Sequence, residues 1–226
     1  ILNQELPIRD FWIVHGLFVD YIQLIFFKIF GINWQAYIVH GSIFNLIITI
    51  FSYKIFNLLK INLPLAFLLS LSFAVLAYPV SATPFLDLHS AYLSLIAMYF
   101  LLLFIKSENL YNIFFIVIIL GLAFLSKQVP AGYFIALTVL FIFFYSYQKK
   151  SFRPIILSFF VVFFFIGIIF LYLISTRTNF GDFLLQLFIL PIQIAQDRQE
   201  SYVLNFKNVF LNFKFIYLFL LPILFI

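Results

Sequence analysis

Short polar breaks divide the chain into a series of long apolar runs. Six of these, at about 34–53, 63–79, 90–105, 111–126, 132–147 and 155–174, carry almost no charge, and Lys, Arg, Asn, Pro and Ser gather between them. Crossing about 30 Å of hydrocarbon takes about 20 helical residues. Lipid offers no partners to an open backbone, so such runs cross as helices. The pattern therefore predicts an all-α, polytopic bundle of six spans with a seventh starting near residue 213. Several runs sit near the short limit, which predicts upright helices or extension into flanking aromatics. Two further apolar segments are short and interrupted. Leu17 to Phe30 carries Asp20, Gln23 and Lys28, and Asp182 to Glu200 spaces Asp182, Gln186, Gln193, Asp197 and Glu200 near one helical face. Both read as helices lying in the membrane interface, a short or tilted span being the other reading, and Pro191 predicts a kink in the second. The chain reads as a single transmembrane domain, 1–226. Residues 1–33 form a first outer loop with an interfacial helix, 34–174 hold six spans, 175–212 form an outer loop with an interfacial helix, and 213–226 begin a further span. Ile1 opens in a polar segment and Ile226 falls inside an apolar run, so further spans are expected on either side.

Composition supports this class. The 226 residues are 65% hydrophobic and 9% charged, with a mean hydropathy of +1.17, against roughly a quarter charged for a soluble domain. A water-facing surface is not built from so few charges. The chain has no cysteine, which excludes disulfides, thiolate metal sites and thiol nucleophiles within it. The net charge of +5 reflects loop bias in a membrane protein rather than an affinity for nucleic acid.

Loop charge predicts orientation. Lys54, Lys60, Lys106, Lys149, Lys150 and Arg153 fall on one side with a single acid, Glu108. The two short loops on the other side, 80–89 and 127–131, carry only Lys127. The side rich in Lys and Arg is expected to be cytoplasmic. Residues 1–33, 80–89, 127–131 and 175–212 are then outer, and they hold Glu5, Asp10, Asp20, Asp87, Asp182, Asp197 and Glu200. Chemistry collects in loops held by a rigid scaffold, so the outer side is where a site is expected.

Three outer segments carry candidate residues. The first is Leu6-Pro7-Ile8-Arg9-Asp10-Phe11-Trp12 followed by His15-Gly16. Here Asp10 can act as a base or orient a ligand, and Arg9 or His15 can hold an anion. Equally, Arg9 and Asp10 can form a solvated pair with Trp12 anchoring at the headgroups. In the second, Asp87 and His89 stand at the mouth of the helix that begins near Ser90. Asp87 reads first as a helix N-cap, and an Asp-x-His pair also offers ligands for a divalent cation or a proton relay. In the third, Ser126-Lys127-Gln128, Lys127 either snorkels to lipid phosphates or meets a bound phosphate as a point charge. His40, inside the second run, reads as packing or a helix–helix hydrogen bond. No phosphate-cradling glycine loop, nucleophile elbow, zinc signature or dinucleotide fingerprint occurs.

Taken together, these segments resemble bacterial GT-C glycosyltransferases of the dolichyl-phosphate-mannose–protein mannosyltransferase-like group. The resemblance rests on Glu5 to Trp12 with the amphipathic stretch ending Phe30-Gly31, on Thr83-Pro84-Phe85-Leu86-Asp87, and on Gly121 to Gln128. It covers about residues 5–135. It implies transfer of a sugar from a polyprenyl-phosphate carrier to a lipid, glycan or protein acceptor, usually with inversion. The setting implied is the bacterial inner (plasma) membrane, crossed many times, with the active site on the periplasmic or extracellular face. It casts Asp10, Asp87 and His89 as catalytic, Lys127 and Arg9 as holding the donor phosphate, and His15 and Gln128 as supporting the acceptor. An acid upstream of Ile1 is the family's usual base. A divalent cation, if used, would fall to Asp87 and His89. His15-Gly16 departs from the prolines common at that place. The rival readings are a transporter or flippase of lipid-linked sugars, which favours ionisable groups at the bilayer midplane and inverted repeats, and a polysaccharide polymerase or ligase.

Overall fold

The computed structural model describes residues 5–76, 84–201, 211 and 214, and among them it is helical apart from turns and one isolated bridge between Pro7 and Phe11. The order is α1 (Phe18–Phe30), α2 (Trp34–Leu58), α3 (Leu63–Leu76), α4 (Leu86–Ser107), α5 (Tyr111–Phe124), α6 (Gln128–Lys149), α7 (Arg153–Thr176) and α8 (Phe180–Leu184), then a π-helical turn (Leu185–Ile189) and α9 (Leu190–Ser201). Four helices, α2, α4, α6 and α7, are long and apolar enough to cross a membrane, while α3 and α5 are apolar but shorter. The 22 residues of α4 rise about 33 Å at about 1.5 Å each; the 14 of α5 rise about 21 Å by the same rule. Yet α5 joins the end of α4 to the start of α6, so it must return across the bundle. The expected spans at 63–79 and 111–126 are therefore present as shorter helices. The start of a seventh span near 213 lies outside the described residues.

Local chemistry sets the helix ends. Gly31 takes a left-handed φ of 81° and its N–H closes onto Phe27 O, ending α1. Asn33 then opens α2 by accepting from the Ala36 N–H at 2.9 Å, a side-chain N-cap. Asn62 does the same for Leu65 ahead of α3, and Asn179 for Gly181 at α8. Pro154 sits in the first turn of α7, where its missing N–H costs nothing.

The chain divides into two compact units, Ile1–Leu187 and Phe188–Ile226. In the first, α5 lies between α4 and α7, with Ala97, Phe104, Ile113, Ile116 and Leu120 forming one buried cluster. A second cluster joins Ile48, Tyr92, Leu93, Ile96, Ala123 and Ala131 across α2, α4, α5 and α6. Gly121 brings α5 close to α7: a Cβ there would stand 2.7 Å from the Phe165 ring. On α7, Phe159, Phe160, Phe163 and Phe164 are exposed, a surface suited to lipid tails rather than water. In the second unit α9 carries Gln193, Gln196 and Asp197 along an exposed helix.

The helix expected over Asp182 to Glu200 forms, but not as one regular α-helix. A π-helical turn interrupts it at Leu185–Ile189, upstream of Pro191. The extra residue breaks the spacing that put its polar groups on one face. Asp182 stays exposed while Gln186 is 2% exposed and turns into the first unit.

Candidate functional site

Alternation of helix direction brings the starts of α4 and α6 and the ends of α5 and α7 to one end of the first unit. Residues 5–17 cover this end. Their own apolar positions, Ile8, Ile13 and Leu17, cluster with Leu173, Phe183 and Leu187. Gln186 clips the loop from two directions: its Oε1 accepts from the Ile13 N–H at 3.0 Å and its Nε2 donates to Ile8 O at 3.1 Å. Further along, the Phe18 N–H donates to Leu125 O at 2.9 Å. Gly16 lies so close to the end of α5 that a Cβ would fall 1.8 Å from Leu125 O. Only glycine fits there.

Within this loop Arg9 and Asp10 form a two-pronged ion pair, Nε to Oδ1 at 2.9 Å and Nη2 to Oδ2 at 2.7 Å. Arg9 Nη1 also donates to Thr176 O, the last carbonyl of α7, where a cation opposes the negative end of the helix dipole. Asp10 Oδ2 accepts from the Leu6 N–H at 2.8 Å. The bond from Arg9, with that from Leu6, holds the Asp10 carboxyl down at about 2. Both oxygens are thus engaged and only weakly basic. Ile8 adopts φ 73° in the same turn, a left-handed conformation rare for a β-branched residue and held here by Gln186 and by the Phe11 carbonyl.

At the mouths of α4 and α6, Lys127 Nζ lies 3.1 Å from Asp87 Oδ2, with side chains 35% and 63% exposed. Phe85 and not Asp87 occupies the cap of α4, and it makes no side-chain capping bond. The N-cap expectation for Asp87 is corrected: it lies in the first turn and reaches across to Lys127. Lys127 itself caps α6 with no side-chain bond to the helix. Val129 is extended (φ −113°, ψ 126°), so the regular part of α6 begins beyond it, and the pair sets Asp87, in the first turn of α4, against Lys127 in the turn ahead of α6. Ser90 Oγ donates to Lys127 O at 2.9 Å, fixing the turn, and Gln128 Nε2 donates to Leu187 O at 2.9 Å.

Beneath this mouth three buried polar side chains form a line. His89 Nδ1 lies 2.9 Å from Phe85 O, His89 Nε2 lies 3.1 Å from His40 Nε2, and His40 Nδ1 lies 2.7 Å from Gln23. The carbonyl of Phe85 accepts only, so His89 Nδ1 carries the proton and its Nε2 accepts from His40 Nε2–H. His40 Nδ1 then needs a donor, and the Gln23 amide NH2, otherwise without a partner, supplies one when its N and O exchange places. The line ties α1, α2 and α4 together. His40 is thus the helix–helix hydrogen bond expected of it. His89 is committed to this line, and Asp87 to Lys127. Asp87 and His89, the two residues to which a divalent cation, if used, would fall, thus have separate protein partners. Among the described residues no group of three or more His, Asp or Glu is gathered to hold a metal ion.

The remaining imidazole is His15, whose Nε2 lies 3.0 Å from Asp20 Oδ2. Sequence reasoning took His15 as an acceptor contact and passed over Asp20, Gln23 and Gln186. Each of these is a polar residue within an apolar segment, a signal that was present. Their partners lie 5, 17 and as many as 178 positions away, and spacing alone cannot reveal such pairings. The structure thus brings Asp87 to Lys127 and Arg9 to Asp10. The first loop reaches the Lys127 turn through Gly16 and the Phe18 N–H, which both meet Leu125 O.

An all-helical bundle, among the described residues, with membrane-length apolar helices and charged groups at its two ends is a multi-pass membrane protein. Over residues 14–174 the chain matches the family described as dolichyl-phosphate-mannose-protein mannosyltransferase, and it belongs to that family, a glycosyltransferase of the GT-C type. The matched stretch includes His15, Asp20, Asp87, His89 and Lys127 and begins after Arg9 and Asp10. No curated protein and no solved structure matches the chain.

Proposed function

We propose that this protein transfers a sugar from a polyprenyl-phosphate carrier to an acceptor at the extracytoplasmic face of the membrane. The observation that carries the reading is Lys127 in the turn ahead of α6, opposed among the described residues by Asp87 in the first turn of α4. The N-terminus of α4 and the partly exposed ammonium of Lys127 make a site that favours an anion. In a transferase with a phosphate leaving group, charge grows on that phosphate as the glycosidic bond breaks, and a cation already in place stabilises it without reorganising. Asp87 keeps Lys127 oriented until the carrier arrives, and Arg9 and Asp10 shape the loop above. His89 supports the wall through its buried line to His40, and Gln128 fixes the turn after Lys127. The lipid-facing phenylalanines of α7 suit a long isoprenoid tail.

The side of the membrane follows from charge. Lys60, Lys106, Glu108, Lys149, Lys150 and Arg153 lie at the opposite end of the first unit, where Lys149 and Glu108 pair. By the positive-inside tendency that end is cytoplasmic, and the mouth with Asp87 and Lys127 is outside. The test is transfer of labelled sugar by the full-length protein in membranes carrying Asp87→Ala with Lys127→Ala. Transfer should fall by at least about a hundredfold, the scale of losing one preorganised charge-stabilising group, while insertion and protein level hold. Full transfer by the double variant refutes the site.

A further inference from the structure

We infer that the open groove between the starts of α5 and α7 holds an anionic phospholipid, its headgroup among the cations of that end and an acyl chain descending between the two helices. The groove measures about 570 Å³ and is lined by Glu108, Asn109, Leu110, Tyr111, Phe114 and Leu157, a size within the roughly 300–1,000 Å³ of small-molecule sites. Its lining is graded. Glu108 and Asn109 follow the end of α4, whereas Phe114 and Leu157 lie about one turn inside α5 and α7, about 5 Å deeper at about 1.5 Å per residue. Deeper still, Gly121 of α5 closes against the Phe165 ring of α7. The groove is therefore polar and open at the charged end, and apolar and shut within the bundle. That is the gradient of a lipid along the bilayer normal.

Charge complementarity selects the headgroup. Lys149 pairs with Glu108, and this hydrogen-bonded ammonium holds the Glu108 carboxyl below its ordinary value. The acid in the lining is thus ionised and already neutralised. Lys106 stands two residues before Glu108, Lys150 follows Lys149, and Arg153 lies one turn before Leu157 on the same face of α7. All three are exposed, and among the described residues none has a protein partner. Basic pockets between helices on the cytoplasmic side take anionic lipid headgroups. Tyr111, 77% exposed, stands at the rim, where an amphipathic ring sits at headgroup level.

Other occupants fit less well. A soluble phosphate meets the cations but leaves Phe114 and Leu157 uncovered. A zwitterionic lipid covers the apolar wall but brings no net charge to Lys106, Lys150 and Arg153. The apolar wall also continues sideways: Phe160, three residues beyond Leu157 and so on its face of α7, is exposed, and a chain can enter from the bilayer. The groove lies at the end of the first unit opposite Lys127 and needs nothing from the transferase reading.

The experiment titrates phosphatidylglycerol or phosphatidylcholine into the full-length, detergent-solubilised protein, with bound lipid counted by native mass spectrometry and the thermal midpoint followed alongside. Phosphatidylglycerol should bind the more tightly and raise the midpoint the more. Lys150→Gln with Arg153→Gln should weaken its binding by about 25-fold, about fivefold for each cation, while the midpoint without lipid holds. Phe114→Ala, at a partly exposed wall position, should also weaken it. Lys60→Asn, a cation of the same end that does not line the groove, should leave it unchanged. Equal binding of the two lipids by the wild type overturns the proposal. So does a loss in Lys60→Asn as large as in the double variant, or unchanged binding in Phe114→Ala, because each means diffuse attraction to the basic end. Glycerol phosphate tests the headgroup alone: it should not shift the midpoint, and a shift equal to that from phosphatidylglycerol would assign the groove to a soluble anion and overturn the lipid.

Discussion

Arg9 meets three acceptors at once, the two Asp10 oxygens and the Thr176 carbonyl, and this makes Asp10 part of the loop's framework. The pairing lowers the carboxyl to about 2, against about 3.9 in an unfolded chain. The sign follows from linkage. A lowered folded value means that the unfolded chain binds the proton more readily, so the stabilisation is complete above about pH 4 and fades as pH falls through 2. Asp10→Asn should therefore lower the thermal midpoint of the detergent-solubilised protein at pH 7. The gap from the wild type should persist at pH 5 and close as pH approaches 2. A gap that does not change across this range contradicts the pairing. The sequence showed Arg9 and Asp10 as neighbours and left open whether they were a solvated pair or a site. The structure adds Thr176, at the far end of α7, as a third acceptor for Arg9, and no local pattern carries that partner.

Among the elements, the π-helical turn at Leu185–Ile189 does the most to organise the site, because it turns Gln186 inward to the first loop. Gln186→Ala should leave the buried Ile13 N–H and the Ile8 carbonyl without that partner, a loss on the order of 2 kcal/mol. Hydrogen exchange at the Ile13 amide should rise by about tenfold or more, while amides in the middle of α4 keep their protection; unchanged exchange at Ile13 would contradict the clip. The apolar runs made the helices themselves legible, since a period and a length suffice to find them. They did not reveal the π-turn. Asp182, Gln186 and Gln193 fit a continuous helical face, and only packing of Phe183 and Leu187 against Ile8, Ile13 and Leu17 shows that the face is broken. Likewise Gln23, His40 and His89 belong to three different helices, and their line arises from packing alone.

At the scale of the whole molecule, the orientation proposed from loop charge puts the Asp87–Lys127 mouth on the outer side. The natural absence of cysteine makes this directly testable. Val14→Cys, at an exposed position of the first loop, should react with a membrane-impermeant maleimide added outside sealed cells. Gln148→Cys, exposed near the end of α6, should react only after the membrane is opened; the reverse pattern would invert the topology. Family membership gives the reaction class, and the proposed place for the phosphate is Lys127 beside the first turn of α4. That place is tested most directly by the carrier without its sugar. A polyprenyl phosphate added to the purified full-length protein at about a hundred times its Kd should stabilise it by about 2.7 kcal/mol, read as a rise in thermal midpoint. The account predicts that Lys127→Gln abolishes most of this rise while leaving the unliganded midpoint nearly unchanged; an equal rise in wild type and Lys127→Gln would contradict it.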